Sequence, residues 1–362
     1  DDLKAFHSSD YIDFLLSWDQ TAPGGKTFGN LKRSAAMRIR EEDLEAGCEE
    51  YRLQYDSPPF PGLTTYCRYV AGGSLSAAAE LIEDRADVAI WWDGGRHHAG
   101  RDHAAGFCYV NDVVLAVQKL RERFVRVLVV DIDIHHGDAV QSAFLYSPSV
   151  LTLSIHLNHP GFYPTSGSTS LSSRHALNFP LKPGAKSPTI LNVWDRVVNF
   201  ARTKFDPQAV VLVMGTDGMA GDGLLTKGQL DKSVERGEEG GIELDVRNDQ
   251  SKRLPVLMLG GGGYTHHNVA RANAVGTISA IVETAPEPTE TLEALLAVNM
   301  DVPDHEFWEL YGDNGWKLSV DDGHGTDENT KAENAPGISD DRSYLEKMWS
   351  KWEQEVKNVS QR

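Results

Sequence analysis

Cysteine is scarce in this chain of 362 residues: Cys48, Cys67 and Cys108 stand far apart, odd in number and without a Cys-x-x-Cys pair. That argues against a disulfide framework and for a reducing compartment. No run of about 18 apolar residues occurs, so no segment reads as a membrane span. Residues 1–20 carry Asp and Lys throughout, which reads as no secretory leader. Positive charge is in deficit. Lys and Arg number 35 against 53 Asp and Glu, a formal charge of −18, which speaks against direct binding to nucleic-acid phosphates. An acidic surface suits basic partners or substrates such as lysine-rich tails, although simple solubility accounts for the same charge. No internal repeat is present, and no Gly-Lys-Ser/Thr follows the glycine run at 260–263, so a phosphate-binding loop is a poor fit.

What is present is a series of short Val-, Ile- and Leu-rich runs: Ala86–Trp91, Val125–Val130, Val150–Ile155, Ala209–Met214 and Leu254–Leu259. Continuous apolar runs of this length predict strands buried on both faces. Between them, Asp112–Phe124 and Ser187–Lys204 carry apolar residues at three- and four-residue steps, the helical period. Strand alternating with helix predicts a parallel sheet covered by helices, with ligands beyond the carboxyl ends of the strands. The residues after each run are accordingly the informative ones. They include Asp93-Gly-Gly-Arg-His97-His98, Asp131-Ile-Asp133-Ile-His135-His136-Gly-Asp138, Ser154-Ile155-His156, Gly215-Thr216-Asp217 and Gly260–Tyr264. Residues 231–252 read as a polar insertion or loop and 318–342 as a loosely ordered polar segment, both within a single domain over 1–362.

On an extended strand end, residues two apart face the same side, so Asp133 and His135 can reach one ion, and Asp217 from another strand tip can complete the set. A catalytic zinc needs three protein ligands and an open position for water. Taken singly, each of these side chains suits helix capping or pairing with lysines better than a metal. Of the tandem pair His97-His98, one or both can serve as general base toward a water at the metal, and Asp131 and Asp138 are unclaimed carboxylates able to fix their tautomers. Tyr264 follows four glycines, where a phenol can hydrogen-bond an oxyanion. Without that chemistry the glycine run is an ordinary tight turn.

These residues, together with Gly106-Phe107-Cys108-Tyr109-Val-Asn111-Asp112, resemble the zinc-dependent histone deacetylases, and Val302 to Gly312 looks like the class I branch. The resemblance runs in order over roughly residues 3–345. It implies the arginase/deacetylase α/β fold, with a parallel sheet of about eight strands and the active site at their carboxyl ends. It implies one zinc on Asp133, His135 and Asp217, His98 with Asp138 as general base, His97 with Asp131 as an electrostatic or acid group, and Tyr264 polarising the acetyl carbonyl. Gly106, Phe107, Tyr163, Leu224 and Gly262 would line the tunnel for the lysine stem. Potassium would be held by Asp131, Asp133, His135, Ser154 and the backbone of Ile155, with a second monovalent site near Phe144, Ser147, Val150 and His175. The resemblance further implies acetylated histone tails or other acetyl-lysine proteins as substrates, corepressor subunits as partners, and the nucleus as location, with the cytoplasm as a second one.

The chain departs from the family at several points. The loop at Asp56–Leu63 aligns with one whose aspartate anchors the substrate backbone, and proline stands at position 61. Tyr163 replaces the usual tunnel phenylalanine, and Arg96 precedes the histidine pair where an apolar or smaller residue is usual. The family's first strand, with its pocket-floor arginine, has no counterpart in these residues, and the stretch between Tyr163 and His175 is a few residues short. Pro61 keeps open a deacylase of non-histone proteins or of acetylated polyamines, although Leu224 stands where a polyamine enzyme would carry an acidic gatekeeper. A binuclear manganese ureohydrolase would need an Asp-Ala-His-x-Asp or Ser-x-Asp-x-Asp run, and neither is present. A non-catalytic deacetylase-like scaffold would have lost a ligand, a base or the tyrosine, and all are retained.

Overall fold

All five apolar runs become parallel strands in a computed structural model, which describes residues 1–21, 41–168, 175–219, 221–222, 253–284, 302, 305–314, 327–330 and 343–360. The strands are β1 Val88–Trp91, β2 Val127–Asp131, β3 Val150–Leu157, β4 Ala176–Leu181, β5 Ala209–Val213 and β6 Val256–Leu259. The helices are α1 Ser9–Thr21, α2 Glu41–Glu50, α3 Leu63–Ile82, α4 Asp112–Leu120, α5 Asp138–Phe144, α6 Ser187–Phe205, α7 His266–Thr284 and α8 Tyr344–Ser360. Among the described residues the sheet has six strands, in the order β1-β6-β5-β2-β3-β4, against the expected eight or so. The strand not anticipated is β4, whose Asn178 and Pro180 break the apolar run. Among the described residues it pairs only with β3, and an edge strand tolerates a proline that has no N–H to donate.

The continuous apolar runs reflect burial on both faces of the sheet, with residues alternating between two cores. Leu128, Val130, Leu153, Val210, Leu212, Val256 and Met258 pack against Val193, Trp194 and Val197 of α6 and Trp349 and Trp352 of α8. Val127, Val129, Val150, Val211, Leu257 and Leu259 face Ala78 and Leu81 of α3 and Val113, Val117 and Leu120 of α4. The helix expected at 187–204 forms as α6, with Pro188 in its first turn, where a missing N–H costs nothing, and a left-handed Asp206 closing it. The helix expected at 112–124 closes at Leu120, earlier than the apolar spacing suggested. No helix among the described residues is long and apolar enough to cross a membrane.

The segment 231–252 lies outside the described residues. Of 318–342, residues 327–330 are described, and they are tied down. Asn329 is fully buried and bonds both backbone groups of Lys182, while Asp327 accepts from the Lys186 N–H and the Thr189 hydroxyl. Within the region 302–312, Arg271 of α7 is 1% exposed, donates to the Tyr311 carbonyl at 3.0 Å and stacks on its ring.

The strand order places the site. From β2 the chain moves outward to β3 and β4, then returns to β5 on the other side of β2. In open parallel sheets ligands collect at such a reversal, beyond the carboxyl ends of the strands. Here that point lies between β2 and β5, whose tips carry Asp131–His135 and Asp217.

His7 ties the N-terminal segment to this framework. Its Nε2 accepts from the Asn111 N–H at 2.9 Å and its Nδ1 donates to the Arg101 carbonyl at 3.2 Å, an arrangement that needs the neutral ring. Burial lowers its pKa from 6.5 to about 4. The unfolded chain therefore takes up the extra proton in that window, so the stability is present above about pH 6.5 and lost as the pH falls toward 4, by at most roughly 3 kcal/mol. Urea midpoints should drop between pH 7 and pH 4, and His7→Gln should make that decline shallower; superimposable pH profiles would contradict this.

Candidate metal centre and active site

Two of the five strand tips foreseen as informative, those of β2 and β5, converge on one buried group. Asp133, His135 and Asp217 each offer a ligand atom, all within 4.8 Å of one another. Asp133 and Asp217 are wholly buried and His135 nearly so. The Nδ1 of His135 lies 3.1 Å from Asp133 Oδ1 and 3.0 Å from Asp217 Oδ2. Only the first of these has hydrogen-bond geometry, which leaves Asp217 Oδ2 buried beside the His135 ring but without a hydrogen bond. A buried carboxylate oxygen without a donor is costly unless a cation takes it. Burial disfavours a charged His135, yet Asp217 and Asp133 outweigh it and raise its pKa to about 10, so the pair of carboxylates demands positive charge at this point. Two carboxylates and one imidazole, buried, convergent and with one oxygen unspent, fit a zinc ion.

The backbone is built around these carboxylates. Asp133 Oδ2 accepts the Gly262 N–H at 2.7 Å and Oδ1 accepts the His135 N–H at 2.9 Å. A methyl group on Gly262 would stand 2.2 Å from Asp217 Oδ2, and one on Gly215 would stand 2.0 Å from Asp133 Oδ2. Gly262, expected as a tunnel residue, thus also presses against two of the three ligating side chains. The His135 ring is stacked on Phe162 at 4.9 Å with an interplanar angle of 4°, which fixes its orientation.

The tandem histidines each find a different aspartate. His97 Nδ1 lies 2.7 Å from Asp131 Oδ2, and His98 Nδ1 lies 2.8 Å from Asp138 Oδ1. Their environments separate them. Burial opposes charge on His97, but Asp131 and Asp133 prevail and raise it to about 9. Burial and the neighbouring His97 lower His98 to about 4, against the pull of Asp138. Near neutral pH this gives a cationic His97 beside a neutral His98, two roles set by surroundings rather than residue type.

The turn carrying both histidines is held by residues the sequence reading quoted but gave no role. Asn111 caps α4 by accepting the Val114 N–H and donates its amide to the Ala99 carbonyl at 3.0 Å. Asp112 accepts the N–H groups of Gly95 and Arg96 at 2.9 and 2.7 Å. Asp222 was missed altogether; its Oδ2 accepts the N–H groups of Tyr264 and Thr265 at 2.8 and 3.2 Å and so sets where the phenol stands. Its only signal in the sequence is its place five residues after Asp217.

A pocket of about 280 Å³ opens onto the metal-ligand group. Gly106, Phe107, Tyr163, Gly262 and Tyr264 line it, as do His97, His98 and Arg96. Leu224 lies outside the described residues. The carboxylate at the mouth comes from Asp56, which accepts the Gly106 N–H at 3.1 Å, and not from position 61; Pro61 does not line the pocket. The departure noted at Pro61 therefore leaves the mouth with its acid. Of the residues expected to hold potassium, Ser154 stands in register beside Asp131, with its hydroxyl 2.8 Å from His156 Nδ1. Asp131 Oδ1 accepts the Asp133 N–H at 3.0 Å, and Ile155 lies buried in β3. At the second expected site, the Phe144 carbonyl accepts the Ser147 N–H, the Ser147 carbonyl accepts that of Val150, and the His175 carbonyl accepts that of Thr152.

At the switch point of the parallel sheet stands an Asp-His-Asp group able to hold a metal ion, flanked by two His-Asp pairs and a tyrosine. The family model for the histone deacetylase domain matches residues 1–278. The chain is 38% identical over 268 residues to Histone deacetylase 8 of Xenopus laevis, covering 73% of this chain and 76% of that protein. It is 36% identical over 325 residues to Histone deacetylase 6 of Arabidopsis thaliana, covering 88% and 61% respectively. It is 32% identical over 338 residues to Histone deacetylase 1 of Homo sapiens, covering 91% and 61%. The chain belongs to the histone deacetylase family and is a hydrolase of it.

The geometry predicts two separable losses. Asp222→Ala removes the acceptor for two N–H groups and lets Tyr264 drift, so kcat should fall about tenfold to a hundredfold with metal content unchanged. Gly262→Ala pushes on Asp217 Oδ2, so metal content should fall first. Equal metal loss in both variants, read by elemental analysis, would refute the division.

Proposed function

We propose that the chain is a zinc-dependent hydrolase that removes acetyl groups from lysine side chains, those of histones foremost. The observation that carries this reading is the unspent Asp217 oxygen within a buried Asp-His-Asp group facing a neutral histidine and a tyrosine. Zinc held by Asp133, His135 and Asp217 would supply a Lewis acid that polarises the acyl oxygen and acidifies water. His98 donates from Nδ1 to Asp138, which leaves Nε2 as the acceptor for the proton of the attacking water. The Tyr264 hydroxyl, its pKa pushed up by burial, stays protonated and donates to the acyl oxygen as charge builds there. A protonated histidine of the pair then returns a proton to the departing lysine nitrogen, which leaves as the amine alongside acetate.

The walls suit that substrate. Phe107 and Tyr163 face the lysine stem, with Tyr163 set edge-on to the His98 ring at 4.9 Å. Asp56 at the mouth offers an acceptor for substrate N–H groups. By analogy with the family, Asp131, Asp133, His135, Ser154 and Ile155 would hold a potassium ion, with a second monovalent ion near Phe144, Ser147, Val150 and His175. The same analogy makes corepressor subunits the partners and the nucleus the place of work. A charge of −18 suits basic histone tails.

The test is metal content together with hydrolysis of an acetyl-lysine peptide by the wild type, Asp217→Asn and Tyr264→Phe. The wild type should hold about one zinc per chain. Activity should fall at least a hundredfold in both variants, with metal lost mainly in Asp217→Asn. A chain that binds no zinc would refute the proposal.

A further inference from the structure

Arg96 has an unmet need that the proposed reaction does not use. It directly precedes the histidine pair and lines the pocket beside Gly95, His97 and Cys108. Asp56, Phe107, Tyr163 and Tyr264 are the exposed lining residues, the three rings at 44%, 38% and 37%, whereas Cys108 is 4% exposed and Gly95 buried. Arg96 is half-buried and stands among the less exposed lining residues, with Gly95 and Cys108. Its Nη2 donates to the Asp93 carbonyl at 3.3 Å, but its Nε is cut off from solvent and bonded to nothing.

The Asp112 carboxylate attracts it at a distance without forming an ion pair. The buried Asp112 accepts the Arg96 and Gly95 backbone N–H groups and the Ser74 hydroxyl, at 2.7, 2.9 and 2.5 Å. Burial pushes the Cys108 thiol and the Tyr66 phenol up to about 12, so both are neutral. Among the described residues Arg96 has no ion-pair partner. A guanidinium with a buried, unbonded N–H on the wall of a pocket calls for an anion, and its planar fork suits a carboxylate.

The proposed reaction brings one chemical group to this place. With the lysine stem between Phe107 and Tyr163 and the acyl carbonyl between the ligand group and Tyr264, the rest of the acyl group points inward, toward Gly95, Arg96 and Cys108. We propose that Arg96 is a specificity-determining residue that binds the terminal carboxylate of a short dicarboxylic acyl group. The chain then hydrolyses malonyl- or succinyl-lysine in addition to acetyl-lysine. This rests on the acyl-lysine reading above. The step balances as amide hydrolysis: the water oxygen joins the acyl carbon, the C–N bond breaks with its electron pair going to nitrogen, and that nitrogen takes a proton. The products are the free dicarboxylate and the lysine amine, and no oxidant or reductant is needed.

One peptide carrying acetyl-, succinyl- or succinamoyl-lysine tests this on the zinc-loaded chain, since the last two differ only in a terminal carboxylate or amide. The succinyl form should exceed the succinamoyl form in kcat/KM by about tenfold to a hundredfold, the range for a charged hydrogen bond. Arg96→Met should bring that ratio to about one, and Arg96→Lys should restore part of it. Calorimetric binding of the same peptides to the Tyr264→Phe chain should show the same order without turnover. Equal handling of the charged and neutral peptides by the wild type, or a ratio indifferent to Arg96→Met, overturns the role of Arg96. Cleavage of acetyl-lysine with refusal of succinyl-lysine overturns it while sparing the deacetylase reading. If no peptide is cleaved, the deacetylase reading fails, and the binding order alone decides for or against Arg96.

Discussion

Three carboxylates, those of Asp131, Asp133 and Asp217, are withdrawn from water at the tips of two adjacent parallel strands, and most of the site is an answer to that constraint. Each buried carboxylate needs donors or positive charge nearby. Asp131 takes His97 and the Asp133 N–H, while Asp133 takes His135 and the Gly262 N–H. Asp217 takes the Ile134 N–H on one oxygen and keeps the other unspent. The same satisfaction that stabilises the cluster also orients it toward a single point.

That constraint reaches into the backbone. Glycine stands where strand tips press on carboxylate oxygens, because any side chain at 215 or 262 would collide with them. It also reaches into the flanking histidines. A cationic His97 compensates Asp131 and Asp133 and, being charged, helps keep its neighbour His98 neutral. The division of labour between two adjacent imidazoles is thus a consequence of where the carboxylates lie.

The fold was largely legible in the chain. Runs such as Val125–Val130 and Ala209–Met214 announce strands buried on both faces, because such strands do not alternate in polarity. What escaped was β4, where Asn178 and Pro180 break the pattern at a sheet edge that tolerates them. The loop's alignment points to position 61 for the mouth carboxylate, but an alignment does not say which residue of a loop faces a cavity. The backbone puts Asp56 there instead. Asp222 left almost no trace, because a residue that acts by accepting backbone N–H groups carries no motif of its own.

The sequence by itself determined the strand runs, the polar caps that follow them and the Asp-x-Asp-x-His spacing that puts two ligating groups on one face, since these depend on local periodicity. Tertiary structure alone decided the rest. Asp217 meets His135 across 82 residues, and His97 and His98 choose different aspartates 34 and 40 residues away. Such pairings depend on strand order, which reverses direction at β2 and β5 and brings distant tips together. Whether a buried oxygen or guanidinium keeps an unmet bond, as Asp217 and Arg96 do, is a property of packing that no window of sequence contains.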